Sequence, residues 1–237
     1  MILIAGPCAV ESAAQIEAEC AFLANCGLRY VRGGAFKPRT RPDSFQGLGW
    51  AGVEMLADAA RRYKLQTVSE VTDTRLVEQM ARLVDVLQLG ARNMQNFDLL
   101  REAGRTGKTI LLKRGLAATL DEWYGAADYV LAGGATVWLC ERGHRTYMPH
   151  VRFMLDVAAI ADARRRGYTV LADPSHAAGR RVNVPPLALA ALAAGAHGLL
   201  IEVHAQPDHA LSDAEQQLNH DEFARLLAQT KELRHGD

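Results

Sequence analysis

The chain has 237 residues, with 27 lysines and arginines against 27 aspartates and glutamates, and 49% of its residues are apolar. That length and apolar share suit one domain with a sizeable core, and the neutral balance removes any overall electrostatic case for nucleic acid or an anionic membrane surface. The amino terminus enters an apolar run without the basic segment of a secretion signal, and no run reaches the ~20 residues that span a bilayer, so a soluble, cytoplasmic protein is expected. Cys8, Cys20, Cys26 and Cys140 lack CxxC spacing and read as thiols.

Eight short apolar runs follow one another along the chain, most of them ending in a polar or charged residue. They are Ile2–Ala5 ending at Cys8, Tyr30–Val31 at Arg32, Thr67–Val68 at Glu70 and Val86–Leu89 at Arg92. Ile110–Leu112 ends at Lys113 and Arg114, Val137–Leu139 at Glu141 and Arg142, Val170–Ala172 at Asp173 and His176, and Leu199–Ile201 at Glu202 and His204. Between and after them, segments 12–26, 50–63, 73–82, 96–103, 119–132, 149–166, 183–195 and 220–234 carry apolar residues at helical spacing. Ser12 and Asp73 are expected N-caps, and Gly27, Gly104 and Gly167 expected helix ends. The alternation predicts an α/β fold, a single-domain (β/α)8 TIM barrel over 1–237, with all strand ends meeting at one mouth. Two connections, 33–49 and 203–219, exceed the few residues usual for βα loops and are expected to serve that mouth.

Two groups of residues at the strand ends carry chemistry. Barrel closure sets the first strand beside the eighth and the eighth beside the seventh, which gathers Cys8, His176, Glu202 and Asp213. Thiolate, imidazole and carboxylates together suit a divalent transition metal ion such as Mn²⁺, Fe²⁺, Co²⁺ or Zn²⁺. The alternative is a buried cysteine, a hydrogen-bonded histidine and two surface acids. The second group is cationic: Arg32, Lys37, Arg39, Arg92, Lys113, Arg114, Arg142 and Arg145. Like charges this close call for anions among them, and phosphorylated ligands answer that need. Salt bridges to Glu70, Glu141 and Glu202 are the plainer reading. Glu70 either partners an arginine or orients and deprotonates a water.

The strings Gly6-Pro7-Cys8-Ala9-Val10-Glu11-Ser12, Arg32-Gly33-Gly34-Ala35-Phe36-Lys37-Pro38-Arg39-Thr40, Gly90-Ala91-Arg92-Asn93 and Leu112-Lys113-Arg114-Gly115 fall in order along the chain. Cys140-Glu141-Arg142-Gly143, Asp173-Pro174-Ser175-His176, Ile201-Glu202-Val203-His204 and Ala210-Leu211-Ser212-Asp213 follow. In this order they resemble the motifs of 3-deoxy-D-arabino-heptulosonate 7-phosphate (DAHP) synthase in its short type I β form, over nearly the whole chain. The resemblance implies a metal-dependent, aldol-type condensation of phosphoenolpyruvate with erythrose 4-phosphate that releases phosphate, the first step of the shikimate pathway of aromatic amino-acid synthesis. It implies Cys8, His176, Glu202 and Asp213 as metal ligands. Arg92, Lys113 and Arg142, with Arg32 and Lys37, match the phosphoenolpyruvate set, to which Ala91 and Asp173 are added, and Arg39 and Thr40 match the contacts to the aldose phosphate. Lys37 and Glu70, beside the ligands Cys8 and His176, form the catalytic set, with Glu70, Lys37 or a metal-bound water handling the proton of the attacking water. The resemblance further implies a homo-oligomer, a dimer or tetramer, and neither a regulatory domain nor a fused mutase is expected.

Arg41, His144, Met148, Ala178 and Ala205 depart from the family pattern, and Arg41 adds a charge beside the aldose-phosphate region. The nearest rival is 3-deoxy-D-manno-octulosonate 8-phosphate synthase, which takes arabinose 5-phosphate and usually carries Lys-Ala-Asn-Arg where this chain reads Lys37-Pro38-Arg39-Thr40. A non-catalytic barrel that binds phosphorylated metabolites is the reading from another class.

Overall fold

The computed structural model describes residues 1–235. Eight parallel strands close into a barrel: β1 (Ile2–Gly6), β2 (Tyr30–Arg32), β3 (Gln66–Glu70), β4 (Val86–Leu89), β5 (Thr109–Lys113), β6 (Thr136–Glu141), β7 (Thr169–Ala172) and β8 (Gly198–Glu202). β8 closes onto β1 in a register running from Ile2 opposite Gly198 to Gly6 opposite Glu202. The helices that cover the sheet are α1 (Ala13–Asn25), α2 (Trp50–Arg62), α3 (Thr74–Leu83), α4 (Phe97–Gly104), α5 (Leu120–Leu131), α6 (Val157–Arg165), the short α7 (Pro174–Ala178), α8 (Val184–Ala193) and α9 (His220–His235). The single-domain (β/α)8 expectation holds, and among the described residues no helix is long and apolar enough to cross a membrane.

The caps behave as their chemistry requires. Ser12 accepts the Gln15 amide and Asp73 the Arg75 amide, while Thr119 and Glu122 form a reciprocal capping box on α5. Gly27 and Gly167 take positive φ of 77° and 86° just past α1 and α6. Gly104 differs from expectation: it is the last residue of α4, and a Cβ there would stand 2.7 Å from the Val130 carbonyl of α5. Its role is close helix approach, and Gly107, at φ 68°, turns the chain toward β5.

The larger core lies between sheet and helices, where Trp123 is fully buried and its indole donates to the Leu112 carbonyl. A second layer fills the barrel itself, with Ile4, Val68, Val86, Leu111, Cys140, Leu171 and Leu200 meeting across the axis. Tyr30 and Trp138 pack edge to face at 5.8 Å against its lower end. An apolar plug below leaves the carboxyl rim as the place for charge.

The segment 149–166 is not one helix. Only Val157–Arg165 is helical, and the preceding residues form a third long βα loop. His144 and Met154 exchange backbone hydrogen bonds at 3.0 Å, and the Arg152 and Phe153 amides donate to Ala178 and Ala177 of α7. These long-range pairings override the local helical spacing, and Asp156 then caps α6 through the Ala159 amide. The short helix α7 was also unforeseen, its five residues being too few to show a period.

The β1–β8 seam gives a direct test of closure. A Cβ on Gly198 would sit 2.0 Å from the Ile2 carbonyl, whereas one on Gly125 of α5 meets nothing within 4 Å. Gly198→Ala is expected to cost about 2 kcal/mol or more. Gly125→Ala is expected to be neutral or to stabilise by up to about 1 kcal/mol. Urea unfolding checks both, and equal midpoints for the two variants would contradict tight closure at that seam.

Candidate active site

The strand ends surround a cavity of about 280 Å³. Arg32, Lys37, Arg39, Thr40, Glu70, Ala91, Arg92, Lys113, Arg142, His176 and Asp213 all line it. Cys8, Asp173 and Glu202 are fully buried and lie outside the lining, in contact with it from below. Arg145 does not line the cavity. Arg114 does not line it either, because its guanidinium bridges Glu141 at 3.1 Å and Asp156 at 2.9 Å. His144 and Met148 are likewise outside the lining, while Arg41 is part of it.

The donor cluster assembles from the loop after β1, the helix α7, the end of β8 and the loop that follows it. Ligand atoms of Cys8, Glu202 and Asp213 lie within 4.8 Å of one another. His176 Nε2 stands 3.5 Å from Glu202 Oε1 and 3.6 Å from Asp213 Oδ2, and Cys8 Sγ reaches that same aspartate oxygen at 3.3 Å. Asp213 takes a left-handed backbone, φ 51°, which aspartate tolerates better than most residues. Below, Asp173 Oδ2 lies 2.8 Å from His176 Nδ1, off the hydrogen-bonding direction, while Asp173 Oδ1 caps α7 through the His176 amide at 3.0 Å. A carboxylate behind an imidazole is the usual support for a metal-binding histidine.

Protonation follows from burial and neighbours. Burial, with Glu202 adding to it, pushes the Cys8 thiol up to about 12. Burial also lowers His176 below its ordinary value, outweighing Asp173 and Glu202, so the imidazole is neutral near pH 7 and charged only in the acid range where the carboxyls titrate. For Glu202 burial works the other way, yet His176 and Arg32 outweigh it and hold the carboxyl below its usual range. Asp213 is lowered in the same manner, against burial, by His176 and Lys37. A neutral imidazole, two ionised carboxylates and a thiol that must shed its proton form a donor set that fits a divalent transition ion, and fits Mg²⁺ or Ca²⁺ poorly.

The cations divide into paired and unpaired. Arg32 meets Glu202 at 2.9 Å, and Lys113 meets Asp173 at 2.6 Å. Lys37 Nζ donates to the Cys8 carbonyl at 3.1 Å and lies 3.0 Å from its sulfur. Arg142 is buried, yet among the described residues no carboxylate comes within ion-pair distance of it. Burial lowers its pKa and neighbouring Asp173 only partly offsets this. A buried guanidinium without a counter-charge, facing a cavity, is an anion site in waiting. Among the described residues Glu70, by contrast, is held only by the Gln88 amide at 3.3 Å.

Sequence reasoning missed Gln88, Arg152, Phe153 and Gln216, among others of the site. Gln88 lines the cavity from a strand position that reads as core. Arg152 and Phe153 also line it, but sat inside the expected helix 149–166. Gln216 bonds Glu202 at 2.6 Å and accepts from Arg152 at 3.0 Å. For Gln216 only its nearness to Asp213 was a signal.

A family model described as the DAHP synthetase I family matches residues 1–236. A phospho-2-dehydro-3-deoxyheptonate aldolase from Thermotoga maritima is 44% identical over 98% of this chain and 69% of its own. A crystal structure of the Thermotoga maritima enzyme superposes with a TM-score of 0.97 at 43% identity, covering 100% of this chain and 70% of that one. A 2-dehydro-3-deoxyphosphooctonate aldolase from Syntrophotalea carbinolica is more distant, 32% identical over 95% of this chain and 87% of its own. With its eight strand-end motifs brought to one mouth and these relatives beside it, the chain belongs to the DAHP synthetase I family.

Proposed function

We propose that this chain condenses phosphoenolpyruvate with erythrose 4-phosphate to give 3-deoxy-D-arabino-heptulosonate 7-phosphate and phosphate. The observation that carries the reading is a cationic cavity whose floor is a Cys8/His176/Glu202/Asp213 donor set. The greater identity to the heptulosonate enzyme than to the octulosonate one, together with Lys37-Pro38-Arg39-Thr40, favours the four-carbon acceptor.

Cys8, His176, Glu202 and Asp213 would hold the divalent ion, which when bound supplies Lewis acidity toward the aldehyde. Arg142, Arg92 and Lys113 take the carboxylate and phosphate of phosphoenolpyruvate and fix its C3 toward the acceptor. Arg39 and Thr40 take the acceptor's phosphate, with Arg41 close enough to add to it. As C3 of phosphoenolpyruvate bonds to the aldehyde carbon, C2 becomes electron-poor, water adds there, and phosphate leaves with its bridging oxygen. Lys37 is a poor base for that water: burial works against its charge, but Cys8 and Glu202 outweigh it and raise the pKa. Glu70, lining the cavity with only Gln88 as hydrogen-bond partner among the described residues, is the group to orient the water and accept its proton.

Incubating the protein with phosphoenolpyruvate, Mn²⁺ and either erythrose 4-phosphate or arabinose 5-phosphate should release phosphate and yield the seven-carbon sugar acid from the former. Chelator should abolish turnover and added metal restore it. Binding of phosphoenolpyruvate without phosphate release under any divalent ion would replace the enzyme by a binding protein. Burial separates two arginines in the same assay. Arg142→Ala should lower kcat/KM by about 10²–10³-fold, whereas exposed Arg92, its charge screened by water, should cost about tenfold as alanine. Equal losses would contradict their different environments.

Metal uptake has its own signature. At neutral pH Cys8 alone among the four ligands carries a proton to lose, since its pKa is raised and those of His176, Glu202 and Asp213 are lowered. Adding Zn²⁺ to metal-free protein near pH 7 should therefore release about one proton per ion, and affinity should rise about tenfold per pH unit. Cys8→Ser should bind more weakly and without that slope, and pH-independent binding by the unaltered chain would remove Cys8 from the ligand set.

A further inference from the structure

Among the described residues the buried cations Arg32, Lys113 and Arg114 each have a carboxylate partner, and Arg142 has an aromatic ring instead. Its guanidinium carbon lies 4.1 Å from the centroid of Phe153, over the ring, and its one hydrogen bond is a long contact of 3.5 Å to the Gly143 carbonyl. Phe153 is held for this contact from both sides. Its amide donates to Ala177 of α7 at 2.9 Å, and the following residue, Met154, is paired with His144 by two backbone bonds. A Cβ on Gly143 would come 2.7 Å from the Phe153 Cβ, and the φ of 89° at that glycine lets the chain turn beneath the ring.

The choice of a ring has a physical consequence. A carboxylate at this place would neutralise Arg142 and then repel an incoming carboxylate or phosphate. An aromatic face compensates a buried cation through its quadrupole and, apart from the long contact to Gly143, leaves the guanidinium N–H groups without acceptors among the described residues. Those donors are then aimed and uncommitted before the anion arrives, which is the arrangement that makes electrostatic recognition strong.

We propose that Phe153 is a positioning residue for phosphoenolpyruvate, its ring holding the Arg142 guanidinium in place as an anion receptor. This rests on the functional reading above. Phe153 touches the substrate through Arg142, so its loss acts on binding of phosphoenolpyruvate ahead of turnover.

The test uses metal-loaded protein and calorimetric titration of phosphoenolpyruvate. Phe153→Leu, which keeps apolar bulk and removes the π face, should weaken binding by about tenfold, while Phe153→Tyr should stay within about threefold of the unaltered chain. In turnover the KM for phosphoenolpyruvate should rise in step, with kcat, the KM for the aldose phosphate and Zn²⁺ affinity little changed. Trifluorophenylalanine at 153, which keeps the shape and withdraws the π density, should fall between Tyr and Leu and decides the matter should Phe153→Leu fail to fold. Binding by the leucine or fluorinated variant as tight as, or tighter than, that of the unaltered chain would overturn the inference alone. An unaltered chain that does not bind phosphoenolpyruvate would overturn the functional reading and the inference with it.

Discussion

Pairing of the first strand with the last is the constraint on which the site depends. The ladder sets Gly6 opposite Glu202, and beyond it the Val203 amide continues the pairing onto the Gly6 carbonyl. Cys8 follows two residues after Gly6, so its sulfur and the Glu202 carboxylate come within 4.8 Å although the two residues lie near opposite ends of the chain. Because side chains alternate along a strand, a slip of one residue in this register would turn Glu202 away from the barrel axis and carry the arginine at 32 out of its ion pair. Fold and chemistry are set by the same hydrogen bonds.

Charge is segregated to match. The chain is neutral overall, yet the cavity is lined by Arg32, Lys37, Arg39, Arg41, Arg92, Lys113, Arg142 and Arg152 against the carboxylates of Glu70 and Asp213. On the outer helices arginines and acids pair locally, as in Arg61 with Asp58, Arg101 with Asp98 and Arg165 with Asp162. Such exposed pairs contribute little to stability. Their effect is to balance the outside and leave a positive excess at the mouth, where low-dielectric walls focus it on anionic ligands. Within the mouth, paired cations such as Lys113 brace the donor residues through Asp173, and the unpaired ones are left for ligands.

Much of this was legible in the sequence because barrel strands and their terminal residues are local signals. A buried strand shows as a short apolar run, and closure converts eight sequence-distant ends into one site. Every lining residue in the expected set came from such an end or from the loops 33–49 and 203–219. What was illegible depended on tertiary pairing. Residues 149–156 have helical spacing but give their amides and carbonyls to α7 and to His144, which hid Arg152 and Phe153. Arg114 reads in the sequence like its neighbour Lys113, yet successive side chains at the strand end take different directions, and Arg114 turns to Glu141 and Asp156. Gln88 and Gln216 are uncharged amides whose role is to hold carboxylates, and nothing in their local sequence says which carboxylate lies opposite.

The two long loops foreseen from the sequence are built to different degrees of fixity. Loop 203–219 is tied down along its length: the Ala205 amide donates to Glu19, Leu211 to Glu11, Arg181 donates to the Ala214 carbonyl, and Gln217 bridges the Ser212 carbonyl and the Cys8 amide. Those anchors keep Asp213 in its left-handed conformation, a strain that only surrounding structure can sustain. In the 37–46 stretch the bonds are mainly internal, with Gln46 donating to the carbonyls of Arg41, Pro42 and Ser44, and the Lys37 amide donating back to Gln46. Lys37, fastened to Cys8, is the point where this loop joins the donor cluster. The side of the mouth bearing the donor cluster is thus braced by the fold, and the side bearing Arg39, Thr40 and Arg41 is braced chiefly by itself.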